Sequence, residues 1–223
     1  MDLRKKFIVI LLGLLPMSSA FGFVGFGLHL GQNQLSLPAS KQLIDITFDR
    51  SNFGQPFAFG GYFYIDAIPF IDLDAEFQVT ASKYDLEFKD SFTNKSINSE
   101  FAWGSASTYL TARKKLFGLG IPFLANAKLH YGIGYNKHVV TPMADFEMVQ
   151  GLTASASSTL EESLTKYLED NKKDFSGFHV QAGLKAKLFM GEVDLFYRYV
   201  IAKDMVPDSK GFGSLNLRLG VTF

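Results

Sequence analysis

Ile71-Asp72-Leu73-Asp74-Ala75-Glu76-Phe77-Gln78-Val79-Thr80-Ala81-Ser82 alternates apolar and polar residues without a break. A β-strand points successive side chains to opposite faces, so this stretch has one wholly apolar face and one wholly polar face. A helix would scatter the same residues around its circumference. Period two governs the rest of the chain as well. Leu215, Leu217, Leu219, Val221 and Phe223 alternate with Ser214, Asn216, Arg218, Gly220 and Thr222. Ala125 to Asn136 and Phe178 to Leu188 repeat the pattern. Weaker alternation marks Phe21–Gly31, Pro56–Asp66, Ala102–Arg113 and Glu192–Ile201. The parity of Ala102–Arg113 is not settled by its residues. These segments make eight strands.

The links alternate in length. Asp66 to Phe70, Lys114 to Pro122 and Phe189 to Gly191 are short, whereas Gln32–Gln55, Lys83–Phe101, Lys137–Ser176 and Ala202–Gly211 are long and polar. Short turns at one end and long loops at the other fit an all-β, eight-stranded, antiparallel up-and-down transmembrane barrel. One long loop carries a helix signal. Ser158-Thr159-Leu160-Glu161 fits a capping box, and Leu160, Leu164, Tyr167 and Leu168 follow at helical spacing. The expectation is one short helix over about Thr159–Asn171.

The N-terminus has a different grammar. Arg4, Lys5 and Lys6 precede an apolar run from Phe7 to Leu15, followed by Pro16-Met17-Ser18-Ser19-Ala20. This reads as a secretory signal peptide over residues 1–20, leaving a barrel domain at 21–223. The alternative, an uncleaved anchor helix, is opposed by a run shorter than the ~20 residues a spanning helix needs. No later segment is apolar for long enough to span as a helix.

Composition narrows the function classes. The 223 residues are 47% hydrophobic and 15% aromatic, with no cysteine and a formal net charge of zero. Zero cysteine excludes disulfide scaffolds, thiolate metal sites and a cysteine nucleophile. Neutrality gives no basic footprint, so no nucleic acid is expected as a partner. High aromatic content suits a wall that faces lipid, with Phe and Tyr near the strand ends as interfacial girdles.

The polar parity carries the candidate site. Six acids (Asp66, Asp72, Asp74, Glu76, Glu192 and Asp194) balance six bases (Arg113, Lys128, Lys185, Lys187, Arg198 and Arg218). An eight-stranded barrel has an interior just wide enough for side chains. Charges there must pair, so these residues are expected to form an ion-pair network that closes the short-turn end. The competing reading leaves them solvated at the rim. His29, His130, His138 and His179 fall on or near the same parity, toward the long-loop side by strand counting. They are the candidates for a metal or pH-sensing site; lining by hydrogen bonding is the plainer reading, and no cofactor is expected. Gly25-x-Gly27 and Gly132-x-Gly134 lack the strand–helix context of nucleotide motifs and read as sites of close packing.

The ending Leu217-x-Leu219-x-Val221-x-Phe223 resembles the C-terminal signature of Gram-negative outer-membrane barrels. With the leader and eight strands, the chain resembles the small barrels typified by the OmpA transmembrane domain, OmpX and OmpW. That resemblance implies residence in the outer membrane among lipid and lipopolysaccharide. It also implies recognition of Leu219, Val221 and Phe223 by the outer-membrane assembly machinery. Three functions follow. One is a non-enzymatic structural or interaction barrel presenting extracellular loops to a partner. A second is an OmpW-like narrow pathway for small or hydrophobic solutes. The third, a lipid A-modifying enzyme, is disfavoured because no histidine takes the outward parity and no catalytic residue stands out.

Overall fold

The computed structural model describes residues 24–35, 41–42, 46–51, 55–68, 71–91, 93–121, 125–155, 159–205 and 209–223. The proposed signal peptide lies outside them. Among the described residues, ten strands occur in chain order: β1 (Val24–Gln34), β2 (Lys41–Gln42), β3 (Ile46–Arg50), β4 (Phe57–Ile68) and β5 (Ile71–Asp90), then β6 (Lys95–Ile121), β7 (Ala125–Val140), β8 (Lys173–Leu188), β9 (Gly191–Ile201) and β10 (Phe212–Thr222). They form one antiparallel sheet in the order β2-β3-β5-β4-β1-β10-β9-β8-β7-β6, and pairing of β5 with β6 closes it. Eight strands make the ring, as the alternation predicts; β2 and β3 lie beside the upper part of β5. The seam joins the first and last strands, with Phe223 N donating to Val24 O at 2.9 Å and Phe26 stacking on Phe223 at 5.9 Å.

The wall is inverted relative to a water-soluble sheet. On β5, Leu73, Ala75, Phe77, Val79 and Ala81 are exposed while Asp74, Glu76, Gln78 and Thr80 are buried. Beyond Ser82 the same strand reverses its chemistry. Lys83, Asp85, Glu87 and Lys89 now face out, and Tyr84, Leu86 and Phe88 are buried. Lipid demands the first arrangement and water the second. The reversal therefore marks a membrane boundary at Ser82–Lys83. From Ile71 to Ala81 is ten steps of about 3.4 Å, and a tilt of about 40° makes the rise about 25 Å, the height of an outer-membrane apolar band.

Strand lengths correct the expected loops. Lys83–Phe101 is no polar link but the protruding β5–β6 hairpin, turned at Asp90, whose carboxylate accepts from Thr93 Oγ1 at 2.6 Å. Lys114–Ile121 is strand too, carried past a bulge between Lys115 and Phe117. The bulge shifts the phase so that Phe117, Leu119 and Ile121 all face out. The inward parity of β6 is odd: Trp103, Ser105, Ser107, Tyr109, Thr111 and Arg113 are buried. Its outward residues include Gly104, Ala106, Thr108 and Ala112, too small or polar to announce a lipid face.

Among its described residues, the β7–β8 connection holds two helices. The expected one spans Leu160–Asp170 and is termed α2. Its cap is Thr159, whose Oγ1 accepts from Glu162 N at 3.3 Å, so the operative box begins one residue after Ser158, which lies outside the described residues. Leu160, Leu164 and Leu168 are buried as the spacing predicts. The preceding helix, α1 (Phe146–Ser155), was not expected. Its internal Gly151 and weak amphipathicity hide it, although Asp145 caps it by accepting from Met148 N at 2.8 Å. Both helices, β3 and the tops of β5 and β6 share one apolar core, which also takes in Met143, Val200, Met205 and Phe212. A packed head therefore sits over the barrel mouth.

The inverted wall predicts a location-dependent penalty. Leu195→Arg, midway along β9, should cost about 2–4 kcal/mol in urea-monitored folding into vesicles. Glu87→Arg, on the outer face of the protruding hairpin, should leave the midpoint unchanged.

Candidate functional site

The barrel interior is organised around Glu76. One carboxylate oxygen lies 2.7 Å from Arg198 Nη1; the other accepts from Arg198 Nη2 at 3.0 Å and from Arg218 Nε at 3.1 Å. Arg218 Nη2 also pairs with it, and His29 Nδ1 lies 3.4 Å away. Asp74 joins Arg218 Nη1 at 3.0 Å to Arg113 Nε at 2.7 Å. Asp194 takes Arg113 Nη1 and His130 Nε2, both at 2.8 Å. Arg198 closes the group by donating from Nε to Gln181 at 3.0 Å. Three carboxylates and three guanidiniums, all buried, thus come from β5, β6, β9 and β10. The planar guanidinium suits this bridging because its donors diverge in a fixed fork. Tyr109 lies 4.0 Å beneath Arg198 and Tyr62 lies 4.8 Å from Arg218, so aromatic faces cover the cations.

A second cluster lies nearer the short turns. Glu192 accepts from Tyr62 at 2.7 Å, Tyr64 at 2.5 Å and Thr222 at 2.6 Å, and pairs with Lys185 at 2.8 Å. Lys185 also sits 3.6 Å over the Tyr64 ring. At the rim, Lys128 bridges Asp72 at 2.7 Å and Asp66 at 3.5 Å. Lys187 is half-buried on the inward parity, and Asp66 is the most exposed of the twelve. Solvation at the rim thus describes Asp66, Asp72, Lys128 and Lys187, and burial describes the other eight. The tyrosines and Thr222 were not singled out in the sequence, although their inward parity with polar tips was visible there.

Small residues make room for these large ones. A Cβ on Gly183 would fall 2.3 Å from Phe196 Cβ, and one on Gly25 would strike the Tyr64 ring at 2.2 Å. Both glycines admit a neighbour's side chain into wall space that any other residue would occupy.

The histidines separate. His130 belongs low in the barrel with Asp194, not near the long loops as strand counting suggested. His29 faces Glu76. His138 bonds Ser107 at 2.7 Å and Asn136 at 2.9 Å, and His179 bonds Thr111 at 2.9 Å. The described residues contain no group of three or more His, Asp and Glu side chains arranged to hold a metal ion. Above His138 the lumen turns apolar, with the Phe212 ring 6.3 Å away. Leu219 and Phe223 face outward, and Val221 is partly covered.

No protein-family model and no curated protein matches the chain. Solved structures do. The N-terminal β-barrel domain of Pseudomonas aeruginosa OprF aligns over 89% of this chain and 99% of its own, at 12% identity and a TM-score of 0.43. Ail of Yersinia pestis, solved with the heparin analogue sucrose octasulfate, aligns over 90% and 97% at 12% identity and 0.43. OprG of Pseudomonas aeruginosa aligns over 90% and 94% at 9% identity and 0.48. The chain resembles the small eight-stranded outer-membrane barrels. At these identities the likeness concerns the course of the chain, and the barrel rests on its own closed ring of pairings.

Removing one partner of a buried pair leaves the other charge stranded, at about 3–5 kcal/mol. Glu76→Ala strands the Arg198 guanidinium and leaves Arg218 with Asp74 alone, and should lower barrel stability by about that much in urea titration. Lys185→Glu sets a second carboxylate against Glu192 and should likewise abolish the heat-resistant gel mobility of the folded barrel. Lys83→Ala breaks only the exposed pair with Glu100 and should leave stability unchanged.

Proposed function

We propose that this protein is a non-enzymatic outer-membrane barrel, exported by a cleaved signal peptide, that anchors and displays a packed extracellular head. The carrying observation is the filled lumen. The guanidinium–carboxylate layer occupies its middle, and the apolar core under α1 and α2 covers its mouth. A pathway for solutes would have to open both. Residence in the outer membrane of a Gram-negative-type bacterium accords with the band height of about 25 Å. The lipid-side face of Leu219, Val221 and Phe223 is the surface offered to the assembly machinery. Burial of all four histidines, with His130, His138 and His179 hydrogen-bonded inside the lumen, favours the non-enzymatic reading over lipid A chemistry.

The head offers a strand edge to an extracellular partner. Thr141 N donates to Gly104 O at 2.9 Å, so the Gly104 carbonyl points away from β5. By the period of two, the backbone groups of Ser96, Asn98, Glu100 and Ala102 point the same way. Among the described residues, β7 pairs with β6 only from Ser105 downward. An extended segment of a partner protein could add to this edge by main-chain hydrogen bonds.

Planar-bilayer recording separates anchor from pore. The refolded mature chain should be silent, and deleting residues 144–171 should leave it silent because the charged layer stays shut. Steady single-channel steps that appear or grow on that deletion would instead favour a helix-gated pathway for small or hydrophobic solutes.

A further inference from the structure

The outward side chains of β4 from Phe57 to Ile65, and of β9 from Val193 to Ile201, are apolar, aromatic or glycine. The outer wall of β6, β7 and β8 is different. Thr108, Lys137 and Ser176 stand side by side in register there, and all three are exposed. The row beneath them is Leu110, Tyr135 and Phe178, with the two rings in edge contact at 6.1 Å. Among the described residues no carboxylate pairs with Lys137. Asp174 stands one row higher, against Val139.

This polar row lies low on the wall. Thr108 pairs with Phe77, six residues short of Lys83, where β5 turns to water. Following the pairings from Ile121 around the ring returns to Leu110, so each step from β5 through β6 to β7 climbs by about 3 Å. Lys137 therefore sits about 9 Å below the level of Lys83. The short-turn end is displaced the same way. Beyond the last β5 pairing, β6 continues with Phe117, Leu119 and Ile121 facing out, and Leu188 and Phe189 are exposed nearby on β8 and its turn. The apolar band is thus set lower on β6–β8 than on β5. Lipid headgroups meet these strands at the row of Lys137.

The row specifies what it holds. One ammonium and two hydroxyls are donors, and the cation requires a negative partner. A metal ion would be repelled by Lys137. A phosphate monoester offers three strong acceptor oxygens, one for each donor. The aromatic row beneath then lies where the acyl chains begin.

We propose that Thr108, Lys137 and Ser176 bind the phosphate of an outer-leaflet lipid headgroup, whose acyl chains descend over Leu110, Tyr135 and Phe178. The inference rests on the outer-membrane placement proposed above, where that lipid is the lipid A of lipopolysaccharide. Phosphate held at this row sets the lean of the barrel, and so the angle at which the head stands over the membrane.

The test is native mass spectrometry of the refolded mature chain in detergent, titrated with diphosphoryl lipid A and with its dephosphorylated form. The phosphorylated form should bind more tightly by at least about tenfold, the worth of a charge-assisted contact. Lys137→Gln should lose most of that preference, Lys137→Arg should keep it, and Ser176→Ala and Thr108→Val should each lose less. Lys83→Gln removes an equally outward cation and should change nothing. Heat-dependent gel mobility of each variant shows that the barrel is folded, which separates failure of the site from failure of the barrel. A folded chain that binds both forms equally, or that loses no more at Lys137 than at Lys83, would overturn the proposal. Phosphate binding that appears only in Asp174→Asn would also overturn it, because that carboxylate would then be the partner of Lys137.

Discussion

A strand in lipid has no water to satisfy its backbone, and that constraint orders everything else in this protein. The sheet must close, so the first and last strands meet along the β1–β10 seam. Closure with eight strands leaves a bore no wider than side chains. Lipid takes the apolar faces, so the polar faces have only the bore. Charged groups inside it must then find partners at short range. Glu76 between Arg198 and Arg218 is the outcome of that sequence of necessities, not an ornament on it.

The same rule explains where the barrel stops being a barrel. Above Ser82 the surroundings are water, and β5 exchanges the chemistry of its two faces without breaking its alternation. The protruding hairpin, β3 and the two helices then pack as an ordinary soluble core. Arg50 ties this head together, donating to Ala144 O at 2.7 Å, while Tyr84 accepts from Ala144 N at 3.1 Å. Burial pulls the Arg50 guanidinium below and pushes the Tyr84 hydroxyl above their ordinary values. One continuous strand thus belongs to two solvents, and the head rests on the wall that anchors it.

Period two made the ring legible from residues alone, because lipid and lumen impose opposite polarity on neighbouring positions. The inward parity of the twelve charges followed from the same count. What escaped was whatever departs from that two-solvent rule. The reversal after Ser82 reads as the end of a strand if apolar residues are expected on one face throughout. The bulge at Lys115–Phe117 breaks phase in a stretch rich in glycine. Which base meets which acid is a matter of strand stagger, so His130 was placed too high by counting along its own strand. Helix α1 lacked a clear stripe, and only the Asp145 cap announced it.

The central claim is the exchange of faces along β5, and spin labels can read it residue by residue. The natural chain has no cysteine, so single cysteines label cleanly. Labels at 73, 75, 77, 79, 81, 83, 85, 87 and 89 would be compared for collision with oxygen, which concentrates in lipid, and with a water-soluble nickel chelate. The account predicts oxygen access through 81 and a switch to nickel access from 83 onward. Nickel access at 75 to 79, or no switch at all, would contradict it.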